Sequence, residues 1–137
     1  SAVLETRDQL GLDWVQLHGD EPDEWLDRLG PKVIRRVPVA DAVDWQRVAW
    51  LAGRCLPLLD PGAGDGVAWD WRVLAGRPSA VRLGVAGGLT AATVGDVVRT
   101  VRPALVDVSS GVERSPGVKD PEAVRAFVAA ARGAVIP

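Results

Sequence analysis

Five places along the chain set a polar or glycine-bearing group directly after a short apolar run. They are Gln16 with His18, Arg35 with Arg36, Asp60, Gly87-Gly88, and Asp107 with Ser109-Ser110-Gly111. A charged group at the end of an apolar run must be solvated, hydrogen-bonded or functional, because burial without a partner is costly. Asp60 ends Leu56-Pro57-Leu58-Leu59. A carboxylic acid there, kept neutral by apolar surroundings, could give a proton to a leaving or ring oxygen. Taken alone, an Asp opening a turn with Pro61-Gly62 accounts for the same residues. His18 is the single histidine, and a lone histidine is more often structural than catalytic. Arg35 and Arg36 must split across the two faces of a strand, so only one can point toward a site.

Two glycine loops late in the chain are more informative. Ala86-Gly87-Gly88-Leu89-Thr90 leaves one apolar run for a helical stretch, and Ser109-Ser110-Gly111-Val112-Glu113 leaves the next run. Glycine lets backbone N–H groups approach an oxyanion, and a helix start presents free donors and the positive end of its dipole. Either loop alone reads as an ordinary turn. Both on consecutive runs point to phosphate binding, as in barrels that hold a phosphate between their last two loops.

The elements that must position these groups alternate from end to end. Strand candidates are Trp14–His18, Val33–Val37, Cys55–Asp60, Ala80–Val85 and Ala104–Val108, mostly apolar as in a parallel sheet covered by helices. Helical spacing follows in Val94, Val97, Val98 and Val101, and again in Val124, Phe127, Val128 and Ala131. Expected caps are Asp41 or Asp44 before Trp45, Thr90 before the Val94 stripe, and Asp120 with Pro121 at the last helix. Pro22 opens a short helix closed by Gly30-Pro31, residues 2–11 end an earlier helix, and Gly133 stops the last one. Cys55 begins its run, at the opposite end from Asp60, and reads as core. Trp69-Asp70-Trp71 is expected to pack a short helix on the sheet, and the acidic run 20–24 to be a solvated surface.

The ends of the runs recur at intervals of about 19 to 25 residues, the size of a βα unit. Five units fit the 137 residues as one domain, 1–137. Eight would take about 60–70 residues more, so the arithmetic suggests an α/β chain holding units four to eight of a partial (β/α)8 TIM barrel. An open five-stranded sheet satisfies the same pattern.

A net charge of −2 offers no electrostatic support for nucleic acid or an anionic membrane. One cysteine and one histidine leave no basis for a disulfide or a metal cage. No apolar run reaches bilayer length and Ser-Ala-Val-Leu-Glu-Thr-Arg is no signal peptide, so the expectation is a cytoplasmic protein. The absence of methionine suggests a processed chain or a fragment.

Taken in order, Val15-Gln16-Leu17-His18-Gly19, Leu58-Leu59-Asp60, Ala86-Gly87-Gly88-Leu89 and Val106-Asp107-Val108-Ser109-Ser110-Gly111-Val112-Glu113 form a recognisable set. With the loop ending in Trp69-Asp70-Trp71 and with Pro116-Gly117-Val118-Lys119-Asp120, it resembles the phosphoribosylanthranilate isomerase family of tryptophan biosynthesis. The resemblance implies a (β/α)8 barrel and an Amadori rearrangement of N-(5-phosphoribosyl)anthranilate, with neither metal nor organic cofactor. It implies Asp60 as the general acid on the furanose oxygen, which replaces the turn-only reading. It also implies Gln16, His18, Arg35 and Asp107 beside the substrate, and Gly87, Gly88, Ser109, Ser110 and Gly111 at the phosphate.

Departures accompany the resemblance. The first three units are missing, with the base cysteine of a Lys-x-Cys-Gly-x-Thr segment and an arginine for the anthranilate end. Trp69, Ala91 and Thr93 stand where the family commonly has Phe, Pro and Asn. The leading expectation is an isomerase seen as an incomplete chain, inactive alone. The alternative is a non-catalytic phosphosugar-binding or interaction protein of the same barrel; another phosphate-binding barrel, such as indole-glycerol-phosphate synthase, is a weaker one. Open sheet edges would call for a dimer or a complementing N-terminal fragment.

Overall fold

The computed structural model describes residues 1–62 and 70–135. Its elements begin with α1 (Ala2–Leu10), β1 (Val15–Leu17), α2 (Glu24–Leu29), β2 (Val33–Pro38), α3 (Trp45–Ala52) and β3 (Leu56–Asp60). A 3-10 turn at Trp71–Gly76 follows, then β4 (Gly84–Val85), α4 (Val94–Val101) and β5 (Leu105–Val106). A second 3-10 turn at Ser110–Val112 leads into a hairpin of β6 (Glu113–Ser115) and β7 (Val118–Lys119), and α5 (Pro121–Gly133) closes the described chain.

Strands β1 to β5 form one sheet in chain order, and every neighbouring pair is parallel. A doubly wound sheet reverses its strand order at a switch point. This one does not, so the sheet is singly wound, and strand ends follow one another along a single edge.

Period-two alternation sorts the side chains. Val33, Val37, Leu59, Leu83 and Val85 pack in the helix-side clusters with Val48 and Leu51 of α3, Val94 and Val97 of α4, and Phe127 of α5. On the opposite face Gly84 makes room for its neighbours: a Cβ built there would meet Leu58 Cδ1 at 2.9 Å and Leu105 Cδ2 at 3.2 Å.

Several expectations shift. The strands are shorter than the apolar runs, down to Gly84–Val85 and Leu105–Val106. Helix α4 starts at Val94 with Thr93 as N-cap rather than Thr90, because residues 90–93 make a turn in which Thr90 N donates to Thr93 Oγ1. Helix α2 starts at Glu24, two residues after Pro22. Gly133 is the last residue of α5 rather than its stop. In the stripe of α5 only Phe127 is buried, while Val124 and Val128 are 38% and 40% exposed. Asp44 and Asp120 cap as expected, accepting from Arg47 N and Glu122 N. Asp70 caps the first 3-10 turn and Trp71 packs on the main core, whereas Trp69 and the rest of that glycine loop lie outside the described residues.

Nor is the acidic run simply solvated. Glu21 Oε2 accepts from Arg35 Nη1 at 3.0 Å, and Asp23 takes both terminal nitrogens of Arg47 at 2.7 Å. That charge-assisted pair holds the Asp23 carboxyl below its usual range.

Candidate active site

The ends of β3, β4 and β5 open onto one cavity of about 520 Å³. Asp60 and Arg36 form one wall, the Gly87-Gly88 and Ser109–Gly111 loops another, and His18, Asp107 and Glu113 complete it. The sheet register makes this possible: Pro38 pairs with Asp60, so Arg36, two residues back, lies on the same face.

Asp60 is held by two donors. Arg36 Nε donates to Oδ2 at 2.8 Å, and Gly62 N donates to Oδ1 at 2.9 Å. Arg36 Nη2 closes the ring by donating to the Gly62 carbonyl at 2.7 Å. The expected apolar surroundings of Asp60 are thus replaced by a guanidinium, and both carboxylate oxygens act as acceptors. Each carboxylate oxygen keeps a second lone pair for a proton or a ligand donor.

The glycine loops are built for close approach. Gly87 and Gly88 have φ of 92° and 64°, in the left-handed region that other residues avoid. A Cβ on Gly87 would meet Pro61 Cδ at 2.7 Å and Asp60 Oδ1 at 3.1 Å. Gly111 lies against the Leu89 carbonyl, which joins the two loops. The backbone N–H groups of Gly88, Leu89, Ser110 and Gly111 donate to no other described residue. Four free donors on two abutting loops suit an anion with several oxygens.

His18 and Asp107 also line the cavity, and neither side chain has a hydrogen-bond partner among the described residues. Two expected site residues fall elsewhere. Arg35 is buried on the helix face and engaged by Glu21, because Val33 and Val37 share its parity and pack into the core. Gln16, on the exposed edge strand β1, lines an apolar groove beside α1 instead. Cys55 sits before β3, away from Asp60, and is 9% exposed; burial pushes its thiol up to about 11.

The sequence leaves open which of Arg35 and Arg36 faces a site and the resemblance implies Arg35, whereas the structure puts Arg36 there; Glu113 and Lys119 are further residues that the sequence reading does not assign. For Arg36 the signal was present: Val33 and Val37 already mark the helix face, which leaves Arg36 on the other. Glu113 and Lys119 depend on the β6–β7 hairpin, which places Lys119 Nζ 2.7 Å from Glu113 Oε1. That contact and a bond from Gly117 N hold the Glu113 carboxyl below its usual range. Among the described residues no group of His, Cys, Asp or Glu is arranged to hold a metal ion, and no helix is long and apolar enough to cross a membrane.

A singly wound parallel sheet with helices between its strands, carrying Asp60 and two glycine loops at its C-terminal edge, defines an α/β protein of the barrel kind. The family model described as N-(5'-phosphoribosyl)anthranilate (PRA) isomerase matches residues 1–130, and the chain belongs to that family. It is 46% identical to the N-(5'-phosphoribosyl)anthranilate isomerase of Myxococcus xanthus, covering 95% of this chain and 65% of that protein. The Haloferax volcanii isomerase is 48% identical, with 93% and 62% covered. The phosphoribosylanthranilate isomerase structure from Thermotoga maritima superposes with a TM-score of 0.81 at 33% identity, over 96% of this chain and 67% of that one. The chain therefore spans about two thirds of the length of these relatives. A further isomerase structure, at TM-score 0.75 and 32% identity over 96% of this chain and 66% of that one, holds reduced 1-(o-carboxyphenylamino)-1-deoxyribulose 5-phosphate.

Proposed function

We propose that this chain is the acid- and phosphate-bearing portion of a cytoplasmic phosphoribosylanthranilate isomerase, folded as one domain and forming five-eighths of its barrel. The observation that carries the reading is the single cavity that Asp60 shares with the free amides of Gly88, Leu89, Ser110 and Gly111. The loop amides hold the phosphate, which fixes one end of the sugar. Asp60 then lies toward the furanose, where it gives a proton to the ring oxygen as the ring opens to the imine. Arg36 keeps the carboxyl oriented. His18 and Asp107 contact the remainder of the substrate, and no cofactor takes part.

Completing the rearrangement requires removal of the C2 proton. The thiol that the resemblance implies for this step has no counterpart in the cavity, since Cys55 lies away from Asp60 at the start of β3 and is buried. On this reading the chain alone binds the phosphosugar without turning it over. The edges of β1 and β5, unpaired among the described residues, take the three further βα units.

The test incubates N-(5-phosphoribosyl)anthranilate with the chain alone and with the chain joined to the N-terminal third of the Myxococcus xanthus relative. Product formation is followed by NMR. Turnover only in the joined form is expected. Turnover by the chain alone would place the base within these residues, and none in a folded, joined form would overturn the isomerase reading.

A further inference from the structure

The reading of the cavity as a phosphate site leaves one charged group unused. Lys119, on β7, does not line the cavity. Its ammonium nevertheless donates to the Ser109 carbonyl at 2.9 Å, to Ser109 Oγ at 3.2 Å and to Glu113 Oε1 at 2.7 Å. An ammonium has three donors, and here each has an acceptor.

The bond to the Ser109 carbonyl has a consequence one atom further on. In a trans, planar peptide the C=O and the following N–H point in opposite directions. The carbonyl of Ser109 is fixed from the hairpin side by Lys119, and Val112 N also donates to it at 3.3 Å. The N–H of Ser110 must then point away from the lysine, and Ser110 lines the cavity with that amide uncommitted. Glu113 completes the clamp: Oε1 takes Lys119 and Oε2 takes Gly117 N at 3.1 Å, so the hairpin turn and the loop are tied together.

We infer that Lys119 is a positioning residue for the phosphate site, which sets the direction of the Ser110 N–H through the Ser109 carbonyl without touching the anion. The inference rests on the phosphate reading of the cavity, and the following experiment separates the two.

The isotopically labelled 137-residue chain is titrated with inorganic phosphate, and the amide shifts of Gly88, Ser110 and Gly111 are followed by NMR. In the wild-type chain these amides shift together, while the Lys119 side-chain ammonium signal does not move. Lys119→Met weakens phosphate by about tenfold, the worth of one well-made hydrogen bond to a charged group, and abolishes the Ser110 shift while that of Gly88 persists. Lys119→Arg restores both. Arg114→Met, the loss of an equal charge on the exposed β6, leaves the affinity within about twofold, as screening of exposed charges requires.

If the wild-type amides do not respond to phosphate, the phosphate reading falls and the inference with it. If they respond equally in wild type and Lys119→Met, the site stands and the positioning role is wrong. An ammonium signal that moves with Ser110 on titration in the wild type makes Lys119 a direct ligand, which also overturns it. That last measurement needs no variant and holds even where Lys119→Met fails to fold.

Discussion

The backbone of Gly111 abuts the carbonyl of Leu89 so closely that a Cβ built on Gly111 would lie 1.9 Å from that oxygen. This contact sews the loop after β5 to the loop after β4, and the cavity wall is the seam. Gly111 has no need of an unusual φ; it is required by the close approach alone. Gly111→Ala must therefore push the loops apart. It is expected to lower stability by about 1–3 kcal/mol, the range for overpacking, and to abolish phosphate binding. Thermal unfolding and phosphate titration check both, and an alanine variant that binds normally would remove the loop contact from the argument.

Asp60 and Arg36 are coupled by a partly buried ion pair and by their shared contact with Gly62. A double-mutant cycle with Asp60→Asn and Arg36→Met is expected to give a coupling energy of about 1 kcal/mol in urea unfolding. In the chain joined to the N-terminal third of the Myxococcus xanthus relative, Asp60→Asn is expected to reduce kcat by about 10²–10⁴, the usual contribution of a general acid, with little change in phosphate affinity. Equal kcat values for the variant and the wild type would rule out the acid role.

Asp23 and Glu113 contribute to an acid limb in stability, as does Asp70 beside Arg72. Hydrogen bonds from Arg47 hold the Asp23 carboxyl below its ordinary 3.8, and those from Lys119 and Gly117 hold Glu113 below its ordinary 4.5. The unfolded chain therefore binds more protons in this range, so stability is fully present above the unfolded values and declines as pH falls through the folded ones. Melting temperature measured from pH 6 down to about pH 3 should show this fall. In Glu113→Gln the fall should be shallower, and an unchanged slope would remove Glu113 from the account.

Cys55 has the opposite sign. Its buried thiol is pushed up from 9.0 to about 11, so the folded chain keeps a proton that the unfolded chain gives up. Its contribution is complete below pH 9.0 and is lost as pH rises toward 11. A thiol reagent at pH 8 should label the native chain slowly and the urea-unfolded chain at once. Rapid native labelling would contradict the buried position, and Cys55→Ala should flatten the alkaline fall in stability.

Much of this protein is written locally. Short apolar runs and 3.6-residue spacing mark most of the βα units, Asp44 and Asp120 announce the starts of α3 and α5, and the paired glycines mark the turns after β4 and β5. These features are legible because periodicity, caps and positive-φ turns are properties of neighbouring residues. Tertiary structure decided which partner each polar side chain meets. That choice sends Arg35 to Glu21 and Arg36 to Asp60, although the two arginines are adjacent and chemically identical. It also decided the contact of Gly111 with Leu89 and the reach of Lys119 back to Ser109, ten residues earlier. Such relationships arise only when separate elements pack, because the distance between two side chains in space is not a function of their spacing along the chain.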